Sequence, residues 1–156
     1  MIPVTVTYHN VHSPRKVEEM ARTVTGLGAR RLVITRALGS AAQEGIPAAH
    51  RLCLERGTEL HVFQDLKEAL ETLEPDVTFM AEDKEHGGTE PLDFDEVTEL
   101  IERGKDVWFV FGSARPGLSK RELELGDRAV YIATEGNIGE IGAAAILLHE
   151  LRKRLD

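Results

Sequence analysis

VWFVFGSARPGLS (Val107–Ser119) and AVYIATEGNIGEIGAAAILLHEL (Ala129–Leu151) decide the fold of this chain. Each reads as an apolar strand that runs into a glycine-bearing loop and then a helix. Val107–Phe111 is almost wholly apolar, as a strand buried on both faces of a parallel sheet requires. Glycine beyond such strands keeps main-chain N–H and C=O groups open to close approach. That pattern suits a ligand cradle more than a packed core.

Working outward, strand and helix alternate along the whole chain. Val4–Tyr8 and Leu32–Thr35 read as strands, as do Leu60–Phe63, Val77–Ala81 and Ala129–Ile132. Ser13 before Pro14 marks a helix start, with Val17, Met20, Ala21 and Val24 at helical spacing and Gly26 and Gly28 at its end. A loop over Arg36–Gly45 leads to a helix near Pro47–Arg56, closed by Gly57. Asp65 with Glu68, Asp93 with Glu96 and Ser119 with Glu122 form capping boxes for three more helices. Glu82–Leu92 reads as an acidic surface loop, and a last helix runs from about Ile141 to Arg154. Six strands alternating with helices predict an α/β domain: a mainly parallel six-stranded sheet with helices on both faces. One domain spans all 156 residues.

The balance of residues is that of a globular protein, with 42% hydrophobic and 29% charged. No run is long enough to cross a bilayer, so no membrane partner is expected. A single cysteine, Cys53, excludes an internal disulfide and fits a cytoplasmic setting. The net charge of −8 excludes a surface that is basic throughout. Basic residues do gather in the first third, at Arg15, Lys16, Arg30, Arg31 and Arg36. That cluster is the one candidate RNA footprint.

Ligands of open α/β sheets bind beyond the carboxyl ends of strands. The segments to inspect are therefore His9–Ser13, Arg36–Ser40, Glu82–Gly88, Gly112–Gly117 and Ala133–Gly142. Both asparagines of the chain, Asn10 and Asn137, fall within them.

Three of these regions resemble one family. Val110–Leu118 follows the strand, Gly, small residue and Gly-Leu outline of the second motif of SPOUT-class (SpoU-like) S-adenosylmethionine-dependent RNA methyltransferases. Ile132–Glu150, with Gly136 and the Ala143–Glu150 helix, resembles the third motif. Pro14, Val17, Arg22 and Thr23 occupy the spacings of the first, while residues 40–105 match only in rhythm. The resemblance implies a C-terminal trefoil knot, a rare exception among folds. It also implies a homodimer built on the first and last helices, and methyl transfer to tRNA or rRNA, with a ribose 2′-hydroxyl as one acceptor. Main-chain groups of Gly112, Ser113, Ile132, Gly136 and Ile138 would hold S-adenosylmethionine. Arg22 and Asn137 would be catalytic, and Asn10, Arg15 and Lys16 would meet the RNA. The family's first-motif Asn and Gly fall on Lys16 and Glu18, and its second-motif Glu on Ala114. Those replacements leave room for a non-catalytic dimer that binds RNA or S-adenosylmethionine.

Two further patterns carry chemistry. Pro75-Asp76 followed by Glu82-Asp83-Lys84 has the letters of PD-(D/E)xK nucleases, in which two carboxylates hold Mg²⁺ beside a lysine. Asp76 and Glu82 bracket one strand, and six steps at about 3.3 Å separate them by roughly 20 Å. His9 and His12 form a possible metal pair, but no further ligand follows at zinc-like spacing.

Overall fold

The computed structural model describes residues 1–113 and 117–155, so Ala114 and the centre of the second motif lie outside the described residues. Seven strands form one all-parallel sheet: β1 (Ile2–Val11), β2 (Ala29–Ala37), β3 (Glu59–Phe63), β4 (Val77–Ala81), β5 (Glu90–Pro91), β6 (Val107–Gly112) and β7 (Arg128–Tyr131). Their order is β3-β2-β1-β6-β4-β7-β5. The chain winds outward from β1 to β3, returns on the other side as β4, and later fills the centre with β6. That reversal is the switch point at which ligands of such sheets bind.

The expected count of six strands is corrected to seven. Glu90–Pro91 lies inside the stretch read as an acidic loop, but it docks on β7. Thr89 N–H donates to the Ala129 carbonyl and Leu92 N–H to the Tyr131 carbonyl. A two-residue edge strand containing proline has no apolar alternation to reveal it, because one partner strand on one side satisfies it. The loop expected at Arg36–Gly45 is also partly ordered: β2 runs to Ala37, and Ala41–Gly45 is a π-helical turn leading into α2 (Ile46–Arg56).

The helices are α1 (Pro14–Gly26), α2, α3 (Leu66–Leu73), α4 (Phe94–Glu102), α5 (Lys120–Leu123) and α6 (Glu140–Leu155). Ser13 caps α1 through Lys16 N–H, and Asp93 caps α4 through Asp95 and Glu96 N–H. Ser119 and Glu122 close a full capping box on α5. Asp65 caps α3 through Leu66 N–H alone.

Strand alternation sends residues to two cores. On one face Val6, Tyr8, Ile34, Phe79, Phe109 and Phe111 pack under α1, α2, α4 and α6. On the other, Val33 and Trp108 meet α3, and Met80 and Val110 meet Leu66 and Leu118. Phe79 and Phe109 stack at 5.2 Å between centroids. α6 contributes to this core: Ala144, Leu147, Leu148 and Leu151 are fully buried within the chain. No helix is long and apolar enough to cross a membrane among the described residues.

Candidate functional site

A pocket opens beyond the carboxyl ends of β4, β6 and β7, against the first turn of α6. It encloses about 390 Å³ of space, part of it open to solvent. Its apolar wall is Phe111, Ile132, Ile138 and Ala143, and its polar lining is Glu82, Asp83, Asn137 and Glu140. Four of the residues expected from sequence meet here: Ile132, Gly136, Asn137 and Ile138. A β-carbon added at Gly136 or Gly139 would meet nothing within 4 Å, so the loop before α6 borders open space. Asn137 Oδ1 accepts the Gly139 N–H at 2.7 Å, which shapes that loop and orients the Asn137 amide.

Gly112 and Ser113 lie at the end of β6, outside the lining. A β-carbon on Gly112 would stand 2.9 Å from Leu118 N, so this glycine lets two stretches of backbone approach each other. Ser113 N–H donates to the His9 carbonyl at 2.9 Å.

The acidic groups are placed less freely than a solvated loop would allow. Glu82 is half-buried, and its carboxylate accepts Leu118 N–H at 2.8 Å and Asp83 N–H at 3.3 Å. Burial raises its pKa above the usual carboxylate value, although those two N–H groups oppose the shift. Gly117 makes the arrangement possible, since a β-carbon there would lie 2.1 Å from the Glu82 Oε2. Glu140 accepts the buried Tyr8 hydroxyl at 3.2 Å, and Lys16 Nζ stands 3.9 Å away. Burial holds the Tyr8 phenol protonated, so it acts as a donor.

A second polar cluster sits beside the pocket, over β1 and β2. His9 is fully buried; its Nδ1 is 2.7 Å from Thr35 Oγ1 and its Nε2 is 2.5 Å from Glu122 Oε2. Arg36 joins Glu122 at 3.6 Å and Asp65 at 2.9 Å. Asn10 and Arg36 both hold positive φ, at 63° and 48°. They face each other between the His9–Thr35 and Val11–Ala37 pairs of the sheet. Two strained non-glycine residues side by side mark this rim as over-determined by its surroundings.

The remaining expected residues scatter. Arg22 is exposed on α1 and pairs with Glu18, and Arg15 pairs with Glu19. Asn10 Oδ1 lies 3.2 Å from His12 Nε2, and His12 is exposed while His9 is not, so the two rings do not converge on one ion. Arg30 and Arg31 pair with Asp106 and Glu59 at the start of β2, the opposite end of that strand from Arg36. The basic cluster of the sequence is therefore divided between the two ends of the strands. Asp76 accepts Asp106 N–H before β4, whereas Glu82 follows β4, and Lys84 lies over the Tyr131 ring at 4.7 Å. The nuclease-like letters thus do not assemble, because β4 runs unbroken between the two carboxylates. No group of three or more potential metal ligands occurs among the described residues.

Comparison with known proteins sets sequence and fold side by side. Residues 39–150 match the family described as RecB-family nuclease (DUF2122), and the chain belongs to that family. It is 36% identical over 150 residues to "Putative type II restriction enzyme MjaORF1200P" of Methanocaldococcus jannaschii, covering 96% of this chain and 97% of that one. It is 34% identical over 157 residues to "Putative type II restriction enzyme ApeKORF2002P" of Aeropyrum pernix, covering 97% and 92%. Among solved structures it is similar to the "Probable Methyltransferase from Bordetella pertussis Tohama I", with TM-score 0.72, 23% identity and coverage of 99% and 97%. It is also similar to the SpoU methyltransferase AviRb of Streptomyces viridochromogenes in complex with AdoMet, with TM-score 0.72, 18% identity and coverage of 97% and 60%. At these identities the likeness to the methyltransferases is one of fold.

Proposed function

We propose that this member of the DUF2122 family binds S-adenosylmethionine in the pocket beyond β4, β6 and β7 and transfers its methyl group to RNA, with a ribose 2′-hydroxyl as acceptor. The observation that carries the reading is the charge of the pocket. Its ionisable lining is three carboxylates, Glu82, Asp83 and Glu140. A phosphate tail seated within that lining would be repelled, whereas the sulfonium and ammonium groups of a ligand held there would be attracted. The apolar wall suits the face of a purine.

S-Adenosylmethionine, when bound, supplies an electrophilic methyl group. The chain's part is to orient and to manage a proton. Main-chain groups near Ile132, Gly136 and Ile138 border the purine wall, and Gly112 and Ser113 set the end of β6 beside it. Tyr8, held protonated, keeps the Glu140 carboxylate in place, and Lys16 balances it from α1. Arg22 and Asn137 are the proposed catalytic pair, and Asn10, Arg15 and Lys16 the RNA contacts. Arg22 does not join the pocket of its own chain, so its role requires a homodimer through α1 and α6. A trefoil knot in the C-terminal third belongs to the same reading.

The family description favours a second reading, Mg²⁺-dependent nuclease activity through Asp76, Glu82 and Lys84. The separation of Asp76 and Glu82 by the whole of β4 weighs against it. Titration calorimetry with S-adenosylmethionine, followed by methyl incorporation into tRNA and rRNA, tests the proposal. Binding abolished by Gly136→Trp together with incorporation supports it. Binding without incorporation would favour a non-catalytic dimer. No binding, with Mg²⁺-dependent cleavage lost in Glu82→Ala, would establish the nuclease.

A further inference from the structure

The buried His9–Glu122 contact belongs to neither the pocket lining nor the proposed chemistry. Its setting explains its use. α5 has four residues, too few to stand as a helix without outside support. Glu122 supplies that support in two directions. Its Oε1 accepts Ser119 N–H at 2.8 Å, closing the capping box, and its Oε2 crosses to His9 on β1 at 2.5 Å. The groups that face the His9 ring are Thr35 from β2 and Glu122 from α5, with Arg36 and Asp65 beyond them. A neutral ring satisfies both of its contacts: Nε2–H donates to Glu122, and Nδ1 accepts from Thr35.

The same segment touches the pocket at its other end. Leu118 N–H donates to Glu82, and the Glu82 carboxylate fills the space left by the missing side chain of Gly117. Leu123 fills space in the same way beside Gly87 of the Glu82–Gly88 turn. Gly117–Leu123 therefore bridges the rim over β1 and the acidic lip of the pocket.

We infer that His9 and Glu122 are positioning residues: they pin Gly117–Leu123, and through Leu118 they hold the Glu82 carboxylate at the pocket lip. The ligand arm of this inference rests on the S-adenosylmethionine reading, whereas the positional arm does not. Amide exchange by NMR on the full chain without ligand separates the two. Glu122→Ala, which removes no core side chain, is expected to speed exchange of the Leu118 amide by about tenfold or more, the size of effect that loss of a charged hydrogen bond gives. Exchange of Val110 in the sheet centre is expected to stay unchanged. His9→Phe should match Glu122→Ala, while His9→Gln, which keeps a donor near the Nε2 position, should stay close to wild type. Dissociation constants for S-adenosylmethionine should weaken about tenfold in step with Leu118 exchange. Unchanged Leu118 exchange in Glu122→Ala would overturn the inference. So would equal acceleration at Val110, which would mark a general loss of structure. Wild-type protein that does not bind S-adenosylmethionine would sink the proposed function, and the exchange result would still decide the positioning role.

Discussion

Replacing Gly117 with alanine tests how closely the pocket lip is built. Gly117 holds φ +98°, and its β-carbon would meet Glu82 Oε2 at 2.1 Å. The backbone conformation alone costs an L-residue about 1–2 kcal/mol. The collision adds more, because the carboxylate must leave Leu118 N–H, and a hydrogen bond to a charged group contributes about 1.5–3 kcal/mol. The sum is about 2.5–5 kcal/mol. Gly39 is the internal control, with φ +58° and nothing within 4 Å of its β-carbon, so Gly39→Ala should cost only about 1 kcal/mol. Urea unfolding with unchanged m-value reads both. In the Glu82→Ala background the cost of Gly117→Ala should fall to that of the backbone, a coupling of about 2 kcal/mol. Equal losses for the two glycine variants, or additive effects in the double variant, would refute the reasoning.

Other consequences follow from single contacts. Phe109→Ala removes a fully buried ring that stacks on Phe79, and should cost about 3–5 kcal/mol in chemical denaturation. Ser13→Ala deletes the cap on Lys16 N–H and should cost about 1 kcal/mol, read as a small drop in melting temperature. Burial lowers the His9 pKa from its ordinary 6.5. Below that value the unfolded chain binds a proton that the folded ring refuses, so stability falls as pH drops through and below 6.5 and is level above it. His9→Gln should lose that particular slope in pH-dependent unfolding. Burial raises the Glu82 pKa, so its contribution to stability is present below the ordinary carboxylate pKa and is lost as pH rises through the folded value; Glu82→Gln should flatten that decline.

How far the sequence reveals this depends on what each residue was responding to. Val107–Phe111 announces a central strand because both of its faces are buried, and it does lie between β1 and β4. Ser13, Asp93 and Ser119 reveal helix starts because capping is local chemistry between residues two or three apart. β5 is silent because its two residues owe their conformation to β7, distant in sequence. The pocket is half legible. Gly136 and Asn137 stand in a loop whose composition invites a ligand, but the roles of Glu82 and Glu140 arise from burial and from partners 36 and 132 residues away. Gly112 reads as a glycine after a strand, but its close approach to Leu118 N depends on a segment the sequence does not place beside it. His9 is legible as a histidine after a strand, yet its partner Glu122 is visible in sequence only as a helix cap.

The central claim is that the acidic pocket takes a cationic, purine-bearing ligand despite the nuclease description of the family. Titration calorimetry of S-adenosylmethionine against the wild type and Glu140→Gln tests it most directly. The account predicts saturable binding of one ligand per chain, weakened about tenfold when the Glu140 charge is removed, the scale of one charged contact. No heat of binding with the wild type, or equal affinity in the variant, would contradict it.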